Sequence, residues 1–363
     1  MNPARTVNAI TRLSSIDALR GLTVAAMLMV NSAGDWNHVY PWMEHAEWNG
    51  CTPADFIFPF FLLIVGVSLS LALGPKLESG AEPAQLARTV LLRAGRIVLL
   101  GIALHVIAWA LLEGREFRLL GVLQRIGICF GFAGLLLVYV RSGIVQWTFF
   151  IIILLGYWVL LITGGNLQPD TNLADKIDSA LLGRYAYLYD AASGKTHDPE
   201  GWLSTLPSLA TVILGLRAGA WLRRGQTGRL AWAGISACAA GALWALILPL
   251  NKQLWTSSFV LWTGGFALLA IALAHYLVDL RGWPALGRSF GVNAIAAYAG
   301  SWITSCILAG SGAMAALYRV LFDVPLTPLA GPYFSSAAFA MVFTTLWWML
   351  MKLFYRRGWR ITI

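Results

Sequence analysis

The stretch that decides the fold is DFIFPFFLLIVGVSLSLALG, residues 55–74. After its first residue it carries no charge, and it is long enough to cross a bilayer as a helix, which takes about 20 apolar residues. Similar runs recur along the whole chain. Only 12% of the 363 residues are charged and the mean hydropathy is +0.68, whereas a soluble protein carries about 25% charged residues. The sequence therefore predicts an integral membrane protein.

The apolar segments predict about ten membrane spans. They lie at residues 16–34, 55–74, 88–112, 118–140, 144–163, 203–222, 230–250, 257–278, 286–309 and 334–355. Each should be a helix, because an open sheet would leave backbone groups unpaired in lipid. We expect an all-α polytopic transmembrane bundle in which residues 1–363 form a single integral-membrane domain.

The distribution of Lys and Arg predicts the orientation. Most basic residues, Arg5 and Arg12 among them, fall on the side of the N-terminus, and such an excess is typical of the cytoplasmic side. Both termini should therefore be cytoplasmic. The polar loop 35–54, the long loop 164–202 and a further loop at 311–333 should face the periplasm. The net charge of +9 follows from this basic face and gives no reason to invoke nucleic acid.

The loop 35–54 contains the main candidate for chemistry, His45. An imidazole changes charge near neutral pH, and a carboxylate such as Asp55 could orient it as a general base. A solvated histidine and an ordinary acid at a helix start are the alternatives. Trp48 could belong to an aromatic belt or form a platform for a sugar ring. Asn31, near the end of the first span, could reach the same pocket.

Three polar residues lie within or at the edge of predicted spans. Arg20, at the inner edge, could pair with Asp17 three residues earlier or hold a phosphorylated ligand. Arg125 lies about two turns inside its span, and charges at that depth usually pair or face a cavity. Gln124 and Arg125 could thus line a polar cavity, or Arg125 could pair structurally with a carboxylate.

The remaining candidates lie at the ends of other predicted spans. They are Asp198, Glu200, Lys252, Trp255, Arg288 and Asn293. The two acids could cap a helix or bind a polyhydroxyl or cationic acceptor, and Asn293 could make a helix–helix hydrogen bond or contact a ligand. The sequence contains no P-loop and no metal-ligand cluster, so we expect no metal.

Several of these motifs occur in the same order in a known family. They are SIDALRG (15–21), HAEWNGCTPAD (45–55), GVLQR (121–125), DPEG (198–201), NKQLW (251–255) and GVN (291–293). With these motifs the chain resembles the heparan-α-glucosaminide N-acetyltransferase family, a branch of the transmembrane acyltransferases. The resemblance covers nearly the whole chain.

The resemblance implies an enzyme that moves an acetyl group from cytosolic acetyl-CoA to the amino group of a glucosamine-type sugar on the far side. His45 would be the catalytic base or a transient acetyl carrier, with Asn31 and Asp55 in its pocket. The expected donor-binding residues are Arg20, Gln124, Arg125, Arg288 and Asn293. The expected acceptor-binding residues are Trp48, Asn49, Asp198, Glu200, Lys252 and Trp255. A homodimer is also implied.

One departure concerns the place and the acceptor of the reaction. The large lumenal portion of the animal enzyme has no counterpart before the first span, and no N-glycosylation sequon occurs. We therefore expect a multi-pass protein of a bacterial inner membrane. Two other functions stay open. Polar residues within spans also suit an inner-membrane amino-sugar transporter, and an acyl-CoA donor does not fix the acceptor atom, which leaves an O-acyltransferase of a cell-envelope glycan.

Overall fold

A computed structural model describes residues 13–361, so Arg5 and Arg12 lie outside the described residues. The helices are α1 (Ser14–Val30), α2 (Pro53–Glu78), α3 (Pro83–Leu111), α4 (Val122–Tyr139), α5 (Gly143–Thr163), α6 (Leu173–Leu181), α7 (Trp202–Arg223), α8 (Thr227–Trp244), α9 (Ser257–Leu280), α10 (Arg288–Val292), α11 (Ala294–Gly310), α12 (Ala313–Ala330) and α13 (Pro332–Arg356). A short antiparallel hairpin joins β1 (Leu188–Tyr189) to β2 (Thr196–His197). The predicted all-α class is confirmed.

Eight helices in the described part of the chain are long and apolar enough to cross a membrane. They are α2, α3, α4, α5, α7, α9, α12 and α13. The ten predicted segments all coincide with helices, although the segment 286–309 is divided at Asn293 into α10 and α11. The length and apolar composition of these helices therefore confirm the prediction of a membrane protein.

Glycines allow the central helices to pack with their backbones in contact. A Cβ added at Gly66 of α2 would lie 2.1 Å from the Val212 carbonyl oxygen of α7, and one at Gly215 would lie 2.1 Å from that of Leu63. No side chain fits at such distances. Small residues at helix interfaces are typical of membrane bundles, where close van der Waals packing drives association.

The predicted loop at 311–333 is wrong, because residues 313–330 form the helix α12. Arg319 and Asp323 inside this segment, and Pro325 and Pro328 near its end, favour a loop in the sequence. Gly310, which precedes α12, packs on the last residue of α3, and Ser336, which follows it, bonds to Asp35 after α1. Both ends of α12 thus lie at one end of the bundle, and the helix runs along that end.

The bundle has two distinct ends. We call "site end" the one that carries residues 31–52, 112–121, 164–201 and 245–256, and "opposite end" the one that carries residues 79–82, 140–142, 224–226 and 281–287. Leu13 and Ile361, the first and last described residues, line one cavity near the opposite end. The two described termini therefore lie on the same side, as predicted.

Candidate functional site

The loop around His45 is held against the segment that precedes α9. Three hydrogen bonds join them: Gly50 N to the Leu250 carbonyl at 2.7 Å, Asn251 Nδ2 to Asn49 Oδ1 at 3.3 Å, and Gln253 Nε2 to the Glu47 carbonyl at 2.8 Å. Two stretches that are distant in sequence thus form one surface at the site end. The predicted acceptor residue Asn49 lies in this junction and is exposed.

Asp55 is the buried carboxylate around which this surface is arranged. It lies in the first turn of α2 and is fully buried. Its Oδ2 accepts hydrogen bonds from the backbone N–H groups of Thr52 (2.9 Å) and Ala46 (3.2 Å). Its Oδ1 lies 2.9 Å from His45 Nδ1 and 3.5 Å from Lys252 Nζ. A carboxylate held in this way is placed to orient the imidazole.

The imidazole of His45 lies between a carboxylate and an amine. Lys252 Nζ is 2.9 Å from its Nε2 and 3.0 Å from its Nδ1, and 45% of the His45 side chain is exposed. With Nδ1 facing the Asp55 carboxylate, Nε2 is the nitrogen that a substrate would meet, in the place where the Lys252 amine now lies. The arrangement of nucleophile or base, orienting carboxylate and adjacent cation suits acyl-transfer chemistry.

Lys252 is the predicted acceptor residue that the structure brings closest to His45. Only 15% of its side chain is exposed. Burial lowers the pKa of Lys252 from its ordinary value, although the charges of Asp55 and Glu200 act in the opposite direction. The amine is thus easier to deprotonate than a solvated lysine, and it faces two carboxylates.

Trp255 anchors the segment that carries Lys252. Its ring is buried and its Nε1 donates to Thr211 Oγ1 at 3.2 Å. Its backbone has φ of 53°, a left-handed conformation that is strained for a bulky residue. Such strain persists where the surrounding structure requires it, often at functional sites. Trp255 therefore shapes the segment from within the core.

Asp198 and Glu200 are paired with an arginine that sequence reasoning missed. Arg118 Nε donates to Asp198 Oδ2 at 3.1 Å, and Arg118 Nη2 donates to both acids. Burial by itself would raise the pKa of Glu200, but the charges of Arg118 and Arg125 outweigh it and hold that pKa below its ordinary value. No local pattern could reveal this pair, because 80 residues separate Arg118 from Asp198.

Gln124 and Arg125 lie beneath this ion pair. Arg125 is 1% exposed, and its Nη2 donates to Ser204 and to the Gly201 carbonyl, the latter at 3.3 Å. Gln124 Nε2 donates to the Leu119 carbonyl at 2.9 Å. Arg125 thus supports the acidic segment before α7, whereas Gln124 supports the loop between α3 and α4.

Arg20 lines a cavity of about 580 Å³ that reaches toward the opposite end. Its guanidinium pairs with Asp17 Oδ1 at 3.4 Å, as one of the two sequence interpretations predicts, and donates to Ser68 Oγ at 2.8 Å and to the Gly291 carbonyl at 3.1 Å. Lys76 and Arg93, which sequence reasoning did not select, line the same cavity, and the rest of the wall is largely apolar. We call this space the inner cavity.

The other two predicted donor residues lie at the opposite end without lining the inner cavity. Asn293 Nδ2 donates to the Trp359 carbonyl at 3.2 Å, and Asn293 Oδ1 accepts from the Ile361 N–H at 2.9 Å. The Arg288 guanidinium lies 5.9 Å from the centre of the Tyr355 ring. In this structure these contacts hold the C-terminal segment to the bundle.

Asn31 lines a second cavity, of about 480 Å³, near the site end. Among the described residues Asn31 makes no hydrogen bond with His45. Arg115, Tyr298 and Ser301 line the same space, which we call the outer cavity. Trp48, the remaining predicted acceptor residue, instead donates from Nε1 to the Leu167 carbonyl at 2.8 Å.

Comparison with known proteins identifies the family. The family model described as heparan-alpha-glucosaminide N-acetyltransferase, catalytic, matches residues 12–247. The chain belongs to this family. The matched range contains His45 and Asp55, whereas Lys252 lies just beyond it. The resemblance inferred from the ordered motifs is thus confirmed.

Two curated relatives carry the same name. The chain is 29% identical to heparan-alpha-glucosaminide N-acetyltransferase of Homo sapiens over 353 residues, which cover 80% of this chain and 52% of that protein. It is 27% identical to the enzyme of that name from Mus musculus, with 80% and 53% covered. The chain therefore spans about half the length of the curated relatives it matches.

Proposed function

We propose that the protein is a transmembrane acetyltransferase. It takes the acetyl group of acetyl-CoA at the opposite end of the bundle and transfers it to the amino group of a glucosamine-type sugar at the site end. The observation that carries this proposal is the contact of His45 with Asp55 and Lys252 on an exposed loop surface. Membership of the family supports the same reaction class.

The inner cavity suits the donor. Its volume is within the range of about 300–1,000 Å³ that is usual for ligand sites, and its apolar wall with the basic residues Arg20, Lys76 and Arg93 matches a pantetheine arm that ends in phosphates. When bound, acetyl-CoA supplies a thioester as the activated acetyl group. Of the other predicted donor residues, Asn293 bonds to Ile361, which lines this cavity, whereas Gln124, Arg125 and Arg288 lie outside its wall.

The two cavities follow each other along the same pair of helices. On α1, Arg20 lines the inner cavity and Asn31 lines the outer one. On α11, Ile295 lines the inner cavity and Tyr298, one turn further, lines the outer one. This succession supports a path for the donor's arm from the opposite end toward the site end, where Asn31 would meet the acetyl group.

The chemistry at His45 follows from its hydrogen bonds. Asp55 Oδ1 faces Nδ1, which leaves Nε2, now in contact with the Lys252 amine, as the reacting nitrogen. In one route Nε2 removes a proton from the acceptor amine while the amine attacks the thioester carbonyl and CoA leaves as the thiolate. In the other, Nε2 itself attacks the carbonyl, CoA leaves as the thiolate, and the acetyl group then passes from Nε2 to the amine. Lys252 is positioned to stabilise the negative charge that develops on the acetyl oxygen. Trp48 and Asn49 would contact the sugar, with Asp198, Glu200 and Trp255 behind them.

The two routes can be separated with the donor alone. In a rapid quench after mixing with labelled acetyl-CoA, a label bound covalently to His45 indicates the acetyl-enzyme route. A protein that turns over acceptor yet never carries the label follows direct transfer.

We further propose that the protein lies in a bacterial inner membrane and forms a homodimer. Its opposite end would lie in the cytoplasm and its site end in the periplasm. The basic residues near the opposite end support the orientation. Glu44→Cys and Glu82→Cys test it, because both positions are exposed and lie at different ends. A maleimide that cannot cross membranes should label Glu44→Cys in whole cells and spare Glu82→Cys. The reverse pattern would contradict the orientation.

The activity is tested by CoA release from acetyl-CoA by protein purified in detergent. Glucosamine-type sugars serve as acceptors and their N-acetylated forms as controls. Release with the free amine alone, together with an amide product, supports the proposal. An ester product would indicate an O-acyltransferase, and sugar flux into liposomes without CoA release would indicate a transporter.

A further inference from the structure

His197 lies in a chain of hydrogen bonds that ends on the His45 loop. Its Nδ1 is 2.7 Å from Asp175 Oδ1, and its Nε2 contacts Gln253 Oε1. Gln253 Nε2 in turn donates to the Glu47 carbonyl at 2.8 Å. His197 is buried at the end of β2, and neither its role nor that of Gln253 belongs to the proposed chemistry.

The hydrogen-bond partners determine where the protons lie. The Glu47 carbonyl can only accept, so the amide NH₂ of Gln253 must face it and the amide oxygen must face His197. That oxygen needs an N–H at Nε2. A carboxylate faces Nδ1, and its other oxygen already accepts from the backbone N–H of Asp170 at 2.7 Å. All of these contacts are satisfied when a proton lies at each ring nitrogen, so that His197 donates twice as an imidazolium.

We infer that His197 is a positioning residue whose second proton holds Gln253, and through Gln253 the loop 44–52, in the arrangement that brings His45 to Lys252. Lys252 directly precedes Gln253, so one side chain of this pair fixes the loop while the other contacts the imidazole. The expected effect of His197 on turnover rests on the proposed function. Its expected effect on the order of the loop 44–52 does not.

The surroundings of the ring favour this charged form. Asp175 faces it from α6, and Asp198 adds a negative charge from the residue after β2. The loop contributes the Trp48 ring, whose centre lies 5.5 Å from that of His197. Burial by itself lowers the pKa of His197, but the hydrogen bond and charge of Asp175 outweigh it, so the pKa is raised above its ordinary value.

Loss of the second proton would break the weaker of the two contacts. A neutral His197 keeps its N–H toward the carboxylate, since charge-assisted hydrogen bonds are the stronger ones. Its Nε2 then presents a lone pair to the oxygen of Gln253. Because the folded-state pKa is raised, the stabilisation is present below the ordinary histidine pKa of about 6.5 and is lost as pH rises through the folded-state value.

Hydrogen exchange of the loop 44–52 tests the inference without any substrate. The full chain is measured in detergent between pH 5 and pH 9, with rates corrected for the intrinsic pH dependence of amide exchange. In the wild type we expect exchange at this loop to rise about tenfold through the titration of His197, the equivalent of one hydrogen bond to a charged group.

Three variants make the test specific. His197→Gln offers an N–H donor at every pH, so its loop should stay protected throughout, and His197→Ala should expose the loop at every pH. His38→Gln is the matched control, because His38 also bonds an aspartate at 2.7 Å on the same end of the bundle and should keep the wild-type profile. A wild-type profile in His197→Gln, or full protection in His197→Ala, would overturn the inference.

Turnover of acetyl-CoA in the same variants separates this inference from the proposed function. The wild type should lose kcat with little change in KM on the alkaline side, and His197→Gln should lack that decline. If no variant, including the wild type, releases CoA, the proposed function fails while the exchange result still decides the role of His197.

Discussion

Lys252 Nζ lies within 3.0 Å of both ring nitrogens of His45, although 207 residues separate the two in the chain. The contact joins the loop before α2 to the segment before α9. Asp55 Oδ1 lies next to both residues, 2.9 Å from His45 Nδ1 and 3.5 Å from Lys252 Nζ. An imidazole, a carboxylate and an amine thus meet at one point of the molecule. The proposed chemistry depends on this meeting.

Removal of the amine tests the role of Lys252 in the reaction. Lys252→Met keeps the apolar stem and deletes the charge, so the acetyl oxygen loses its cationic partner. We expect kcat to fall about 10²–10³-fold, the usual cost of one donor at such a position. Lys195→Met, at an exposed lysine of the hairpin, is the control. Equal rates in the two variants would show that Lys252 takes no part in the chemistry.

The ion pair of Arg118 predicts a large effect on stability. Arg118→Met leaves two buried carboxylates, Asp198 and Glu200, without their partner. Removing one member of a buried ion pair typically costs about 3–5 kcal/mol. We expect a loss of that size in the free energy of unfolding in detergent, and no measurable loss for the exposed control Arg184→Met. A small loss for Arg118→Met would mean that water reaches the two acids.

Glu200 predicts the direction of the pH dependence of stability. Its pKa is held below the ordinary value of 4.5 by Arg118 and Arg125, which outweigh the effect of burial. Its contribution is therefore present above about pH 4.5 and is lost as pH falls through the lowered folded-state pKa. The melting temperature should fall on that acidic side, and Glu200→Gln should show a shallower fall. An identical slope in both proteins would exclude Glu200 as the source.

The lining of the inner cavity predicts substitutions that weaken the binding of the donor without slowing the chemical step. Lys76→Gln and Arg93→Gln each remove a cation that faces the proposed phosphate site. We expect each to raise KM for acetyl-CoA about tenfold, the equivalent of one charged hydrogen bond, with little change in kcat. Arg88→Gln, on a different surface groove of α3, should leave both constants unchanged. A fall in kcat at constant KM would place the donor elsewhere.

Much of the bundle could be predicted from the sequence because lipid imposes a simple rule on each span. Long apolar runs must be helical, and this rule locates the ten predicted segments. The helix α12 obeys a different rule. It runs along one end of the bundle, so its composition is not constrained to a continuous apolar run, and its two prolines favour a loop.

The candidate site was predictable only where its residues are close in sequence. His45 and Asp55 fall in one motif, and their contact follows from the turn between them. The contacts of His45 with Lys252, of Arg118 with Asp198, and of His197 with Gln253 join distant segments. Each depends on how the helices pack, which a single sequence does not encode in any local pattern.

The most direct test of the proposed function compares CoA release by the wild type, His45→Ala and His38→Ala, with an amino-sugar acceptor present. The His45 side chain is 45% exposed, and without it Asp55 keeps its two backbone hydrogen bonds and Lys252, so the variant should stay folded. We expect His45→Ala to lose at least about 10³-fold in kcat, as removal of a base or nucleophile does, and His38→Ala to match the wild type. Full turnover by a folded His45→Ala would contradict the central assignment.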